Sequence, residues 1–306
     1  MNFSANATFL KNRIISLPEQ NRKDGIIDGT KRFVEGGDRY AFWLYQYAGV
    51  DQMTGLSLYK FDDERFYITD DNTKDGNVLY GTATDEDGNA HTLMEAQNYT
   101  VINGQPYVWN PGSYGKKDWS GTATPTVYGS FGLNLSWKGL TLSTLFTYSL
   151  GSKVYDGIYA DKMGVGATPS SAHQDNLLGW TGVPNGMTEN SADRIDPNGV
   201  PMLYTFNTYK MDGKDVTISN NAGTSTRWLT SGNYLVVKNI ALSYELPKRW
   251  LTPLQVQGLS ISVACENLYT AAARKGLNPQ YSFSGTTSSN DFVTARVVTA
   301  GINVRF

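Results

Sequence analysis

The residues able to do chemistry are few and scattered. There is one cysteine, Cys265, and there are two histidines, His91 and His173, among 306 residues. That excludes a disulfide framework and a cysteine zinc cluster. Each histidine stands alone in an expected loop and reads as an exposed polar residue. Three acidic runs offer oxygen ligands of the kind calcium takes: Asp62-Asp63-Glu64, the stretch from Asp70 to Gly76, and the stretch from Asp85 to Asn89. None has the spacing of an EF-hand loop, so each reads as a solvated acidic loop. Asp156 and Asp161 are a nominal carboxylate pair for glycoside hydrolysis, but no supporting motif surrounds them. Nucleophile-elbow, Walker and dinucleotide motifs are absent. No catalytic, cofactor-binding or metal-ligating residue is assigned, and an enzyme is not expected. The aromatics Tyr107, Trp109, Tyr114, Trp119 and Trp180 remain. Their rings could stack on sugars, although ordinary loop packing is the favoured reading.

The elements that would position such residues are strands. Only 18% of the chain is charged, while it carries 19 Tyr, 12 Phe, 7 Trp and 31 Gly. A net charge of −2 leaves no basic excess for a nucleic-acid partner. In Val127–Trp137 apolar residues and glycine occupy the odd positions, and small polar ones most of the even positions. Leu140–Leu150 repeats the pattern after the two-residue link Lys138-Gly139, which predicts a tight hairpin. Tyr234–Glu245 alternates with a phase slip that places a bulge near Lys238-Asn239. Alternation also runs through Leu259–Glu266, Val298–Phe306 and Phe3–Phe9, and the ring-rich run Tyr40–Tyr47 reads as one more strand. The connections are unequal. Lys138-Gly139 and Pro247–Val256 are short, whereas about 61–126 and 151–231 are long loops, with small strands expected near Val78–Thr82 and Val216–Ser219.

Short turns at one end and long loops at the other describe an antiparallel transmembrane β-barrel. Tyr128, Trp137, Tyr148, Tyr155, Tyr234, Tyr244, Trp250, Tyr269 and Phe292 lie near strand ends, where amphipathic rings suit a lipid headgroup level. The polar faces are small and uncharged, which suits a wet lumen. Phe306, ending an amphipathic strand, reads as an assembly signal for outer-membrane insertion. Seven or eight spanning strands are expected. Open edges cannot face hydrocarbon, so these strands are expected to be the C-terminal part of a larger barrel. No signal peptide, plug or energy-coupling segment is recognised in 1–306.

Several stretches resemble the late-barrel region of SusC/RagA-family TonB-dependent outer-membrane transporters of Bacteroidetes. They are TPTVYGSFGLNLSWKGLTLSTLFTYSLGSKVYD (Thr124–Asp156), SGNYLVVKNIALSYELP (Ser231–Pro247), ENLYT (Glu266–Thr270) and GLNP (Gly276–Pro279). KNRIISL (Lys11–Leu17) and YAGVDQMTG (Tyr47–Gly55) are similar as well. The resemblance implies a plugged barrel of about 22 strands. It also implies a SusD-like surface lipoprotein as lid, energy from TonB, and oligosaccharides or peptides as substrates, with no cofactor. Cys265 stands where the family often has a small residue, and is expected to be an apolar filler. The alternative reading is a secreted β-sandwich carbohydrate-binding module; a small self-sufficient porin is a third.

Overall fold

The computed structural model describes residues 1–68, 82–94, 99–164, 172–203, 208–211, 214–288, 291 and 294–306. Its frame is one antiparallel sheet of six strands: β1 (Asn2–Phe9), β2 (Val127–Trp137), β3 (Leu140–Leu150), β4 (Tyr234–Glu245), β5 (Gly258–Ala271) and β6 (Val297–Arg305). The strands lie in chain order across the sheet. The sheet is open, with one edge each of β1 and β6 unpaired among the described residues.

The register turns the alternation of single strands into two continuous faces. One row runs Phe3–Leu133–Thr144–Ile240–Cys265–Val298, and another Leu135–Leu142–Leu242–Val263–Ala300. A third runs Trp137–Leu140–Tyr244–Ile261–Ile302. The opposite face reads Asn2–Asn134–Ser143–Ala241–Ala264–Thr299 and Ser136–Thr141–Ser243–Ser262–Gly301. Side chains there bond across strands, as from Ser143 Oγ to Asn134 Oδ1 at 2.6 Å and from Asn6 Nδ2 to Ser130 Oγ at 2.8 Å. Thr144 is the polar intruder on the apolar face. Its hydroxyl is satisfied by the Leu133 N–H at 3.2 Å and by the Leu133 carbonyl at 3.3 Å.

The hairpin between β2 and β3 closes as the sequence predicts. Lys138 and Gly139 both have positive φ, 46° and 86°, the pair that matches the twist of the flanking strands. A Cβ on Gly139 would meet the Glu245 carbonyl at 2.6 Å, so that position needs glycine. The bulge predicted near Lys238-Asn239 is there, since pairing with both neighbours shifts between Val237 and Asn239. Lys238 Nζ donates to Asn267 Oδ1 at 2.8 Å, and Asn267 has a left-handed φ of 51°. The two irregularities are thereby tied together.

The register also sets the ends apart. The short connections 138–139 and 246–257 leave one end of the sheet, while 10–126, 151–233 and 272–296 all leave the other. These three long connections are folded. Strands 41–45 and 117–122, 47–51 and 57–60, and 99–102 and 105–108 pair within the first, and 153–155 with 229–231 within the second. They enclose cores around Phe42, Leu44 and Trp228, around Leu56, Leu58 and Ile102, and around Tyr59 and Met94. The buried apolar residues lie in the connections; among the described residues of the six-stranded sheet only Val236 is one of them, and it sits in the polar-face row Asn6–Ser130–Thr147–Val236–Thr270. The apolar face is uncovered, with Trp137 70% and Ile302 72% exposed.

Several expectations change. Tyr40–Tyr47 forms no spanning strand: it divides at Gln46 into two strands of the connections, leaving six in the frame instead of seven or eight. A period of two says only that the faces differ, and here Phe42 and Leu44 point into a protein core. Tyr128 and Tyr234 lie on the polar face, because both align with Ser149, and Tyr155 is buried in the loop core. Trp137, Tyr148, Tyr244 and Tyr269 hold apolar-face positions, and Trp250 is exposed in the short connection. The Val216–Ser219 expectation corresponds to a strand at Lys214–Thr217. Phe292, the Asp70–Gly76 run and Val78–Thr82, apart from Thr82 itself, lie outside the described residues. Among the described residues no helix is long and apolar enough to cross a membrane, which leaves strand crossings open.

Candidate functional site

At the loop end of β5, the helix Gly157–Met163 and the connection after β5 enclose a cavity of about 460 Å3. Asp156 is its structural centre. It caps the helix by accepting the Tyr159 N–H at 3.1 Å, and takes the Thr287 hydroxyl at 3.0 Å on the same oxygen, Oδ1. Its other oxygen receives Arg274 Nη2 at 2.6 Å. Arg274 is thereby laid over the Tyr159 ring, 3.5 Å from its centre, a cation–π stack that fixes the guanidinium.

Tyr159 is held from every side. Its hydroxyl donates to Asp175 Oδ2 at 2.8 Å, and its ring meets His173 edge-on at 4.9 Å and Trp228 at 5.9 Å. Burial, followed by the Asp175 carboxylate, raises its phenol above the ordinary range. His173 is thus no isolated exposed residue, as its Nδ1 also accepts the Asp175 N–H at 3.1 Å. The cavity has a rigid wall of Asp156, Arg274 and Tyr159, with the cations Lys162, Lys275 and Arg296 around it. Such an arrangement can bind and orient a ligand.

The aromatics singled out in the sequence are dispersed. Trp109 is buried in the core with Leu56 and Leu58, and Tyr114 packs edge-on against Phe66 at 4.9 Å. Trp180 donates Nε1–H to the Gln52 carbonyl at 2.9 Å and lies over Gly55, where a Cβ would run into its ring. Trp119 is 43% exposed and contacts Trp43, its cross-strand partner, at 5.0 Å. Phe306 stands one residue past β6, 83% exposed, continuing the apolar sequence of Val298, Ala300, Ile302 and Val304.

The acidic runs are already engaged. Lys116 Nζ lies 3.2 Å from Asp63 and 2.9 Å from Glu64, and the Glu64 bond is the main cause of an ammonium held above its usual range. Asp85 accepts the Asn89 and Asp87 N–H groups, and the Asn89 backbone bond foremost, with the Asn89 and His91 side chains, keeps its carboxyl at about 2. His91, expected to be exposed and unpartnered, is buried, with Nε2 2.7 Å from Asp85 Oδ2. It sits in a central strand, 90–94, flanked in its sheet by 66–68 and 82–84. Asp161 is the exposed partner of Lys162 and no mate to Asp156. No group of three metal-ligating side chains occurs among the described residues.

A mostly β chain with a one-sided apolar sheet and long folded connections at one end is the class these features define. No protein-family profile matches the sequence. No curated protein matches it either. Among solved structures, the fold is similar to a chain of the RagAB peptide importer in its closed-closed state, with a TM-score of 0.60 and 22% identity over 99% of this chain. The RagAB peptide transporter matches equally, at 0.60 and 22%, and the importer's open-open state does so at 0.60 and 20%. This chain spans about a quarter of those chains, 27%, 27% and 26% respectively. The likeness is one of fold.

Proposed function

We propose that residues 1–306 are the C-terminal part of the barrel of a SusC/RagA-like, TonB-dependent outer-membrane transporter, and no enzyme. In this reading the polar face lines the lumen, the apolar face meets outer-membrane lipid, and the long connections stand outside the cell. There they would contact an oligosaccharide or peptide substrate and a SusD-like lipoprotein lid. TonB would act on a part of the transporter other than this chain, and Phe306 would serve assembly.

One observation carries the proposal: the sheet has a continuous apolar face, yet contributes only Val236 to the described buried apolar core. A soluble sandwich would pack that face against a second sheet about 10 Å away. Hydrocarbon covers it without one. The RagAB likeness agrees with this reading in fold.

The experiment is lipid contact. In the full-length protein with Cys265→Ala, single cysteines at Leu142, Leu242 and Val263 are labelled with bimane and compared with Thr141, Ser243 and Ser262. In vesicles of brominated lipid the first three are quenched and the second three are not. Equal quenching on both faces, or none at Leu242 and Val263, sinks the membrane reading.

A further inference from the structure

The charges around the cavity at the loop end of β5 do not balance. Of its two acids, Asp156 is paired within the protein, and Asp291 carries one backbone bond. Asp156 is held by Arg274 and Thr287, and Asp291 Oδ2 accepts the Ser288 N–H at 2.8 Å. Lys162 has the adjacent Asp161 at 3.6 Å. Lys275 and Arg296 line the same cavity, are exposed, and have no carboxylate partner among the described residues. Beside them lie the apolar surfaces of Ile158 and Leu277.

We propose that this cavity binds an acidic oligopeptide, with its carboxylates on Lys275 and Arg296 and its aliphatic side chains against Ile158 and Leu277. The assignment rests on the importer reading above for its biological meaning and names the substrate class of that site. Size allows it, because pockets for small ligands run from about 300 to 1,000 Å3. Chemistry favours a peptide over a sugar. Sugar hydroxyls need acceptors as well as donors, whereas the lining holds four cations, Lys162, Arg274, Lys275 and Arg296, against two carboxylates, one of them paired with Arg274. Lys275 and Arg296 are cationic donors beside apolar carbon, which match carboxylates and aliphatic side chains. Arg274 is excluded from the ligand-binding pair, since its guanidinium is committed to Asp156 and Tyr159.

The test is calorimetric titration of the full-length protein in detergent with three probes: Glu-Leu-Glu-Leu, Gln-Leu-Gln-Leu amide and trigalacturonate. The acidic peptide is expected to bind at least tenfold more tightly than the neutral one, and more tightly than trigalacturonate. K275Q and R296Q should each weaken it about tenfold, the loss of one charge-assisted hydrogen bond. Together they should approach a hundredfold if the contacts add. K248Q, in the short connection at the opposite end of the sheet, should leave it unchanged. Equal affinity for both peptides, tighter binding of trigalacturonate, an equal effect of K248Q, or no binding overturns the assignment. If the acidic peptide fails to bind while Leu242 and Val263 labels are quenched by brominated lipid, the cavity proposal falls and the transporter reading stands.

Discussion

Ile240→Arg tests the physical basis of the fold most directly. Ile240 lies in the row with Thr144, the fifth of eleven residues of β3, so it sits near mid-height of the apolar face. Tyr244 is four residues further along β4 on the same face. At about 3.4 Å per residue and a tilt near 45°, four residues separate the two by ~10 Å along the bilayer normal. An apolar band of about 25 Å then puts Ile240 near the midplane and Tyr244 near one boundary. Arginine costs roughly 2–4 kcal/mol at the midplane of such a barrel and about 0–1 kcal/mol near the interface. Ile240→Arg should therefore lower the folded-to-unfolded ratio by ~30- to 700-fold, at 1.4 kcal/mol per factor of ten. Tyr244→Arg should lower it less than about fivefold. Ala241→Arg, one residue away on the polar face, should cost almost nothing. The assay is urea titration of the full-length protein folded into vesicles, read by tryptophan fluorescence. Equal costs at Ile240 and Tyr244 would refute the depth argument. A larger cost at Ala241 than at Ile240 would refute the assignment of faces.

Three further outcomes follow from the connections and the terminus. Lys31 is buried, with Nζ 3.1 Å from the centre of the Phe42 ring and 3.3 Å from the Tyr40 carbonyl, and burial lowers its pKa to about 7. Because the unfolded state binds more protons between about 7 and 10.5, stability should rise with pH across that window. Lys31→Met should flatten this rise and stabilise the protein by roughly 2–3 kcal/mol at pH 7 in thermal unfolding, the ring and carbonyl offsetting part of the desolvation cost. Arg194 grips Asp51 with two bonds of 2.8 and 2.9 Å, so Arg194→Ala should cost about 3–5 kcal/mol by stranding a buried carboxylate, and Asp51→Asn should recover part of it. Deleting Phe306 should lower the amount of folded full-length protein in the outer membrane; unchanged levels would remove its assembly role.

The strands of the frame were legible because their two faces meet unlike surroundings. Val127–Trp137, Leu140–Leu150 and Tyr234–Glu245 have the same limits in sequence and structure, and the slip at Lys238 showed as a change of phase. Alternation carries no label for what covers the apolar side, so Tyr40–Tyr47 read as one more strand of the frame, whereas Phe42 and Leu44 lie in a protein core. Ring position along a strand likewise carries no face: Tyr128 and Tyr244 both stand near strand ends, and only the register puts them on opposite sides.

The cavity was not legible, for a different reason. Its central pair, Arg274 and Asp156, lies 118 residues apart, and its two partners come from different connections. Neither residue has a local pattern, since a carboxylate before a short helix reads as a cap and an arginine after a strand reads as solvated. Pairing is decided by which connection folds over which strand, and that depends on β3, β4 and β5 lying side by side. The bulges at Lys238 and Asn267 change how many residues β4 and β5 place between those rows, and so where the connection after β5 begins. If this is the cause, Lys238→Ala should weaken acidic-peptide binding severalfold even though Lys238 does not line the cavity. Unchanged binding would show that the two connections position Arg274 and Asp156 without help from the sheet.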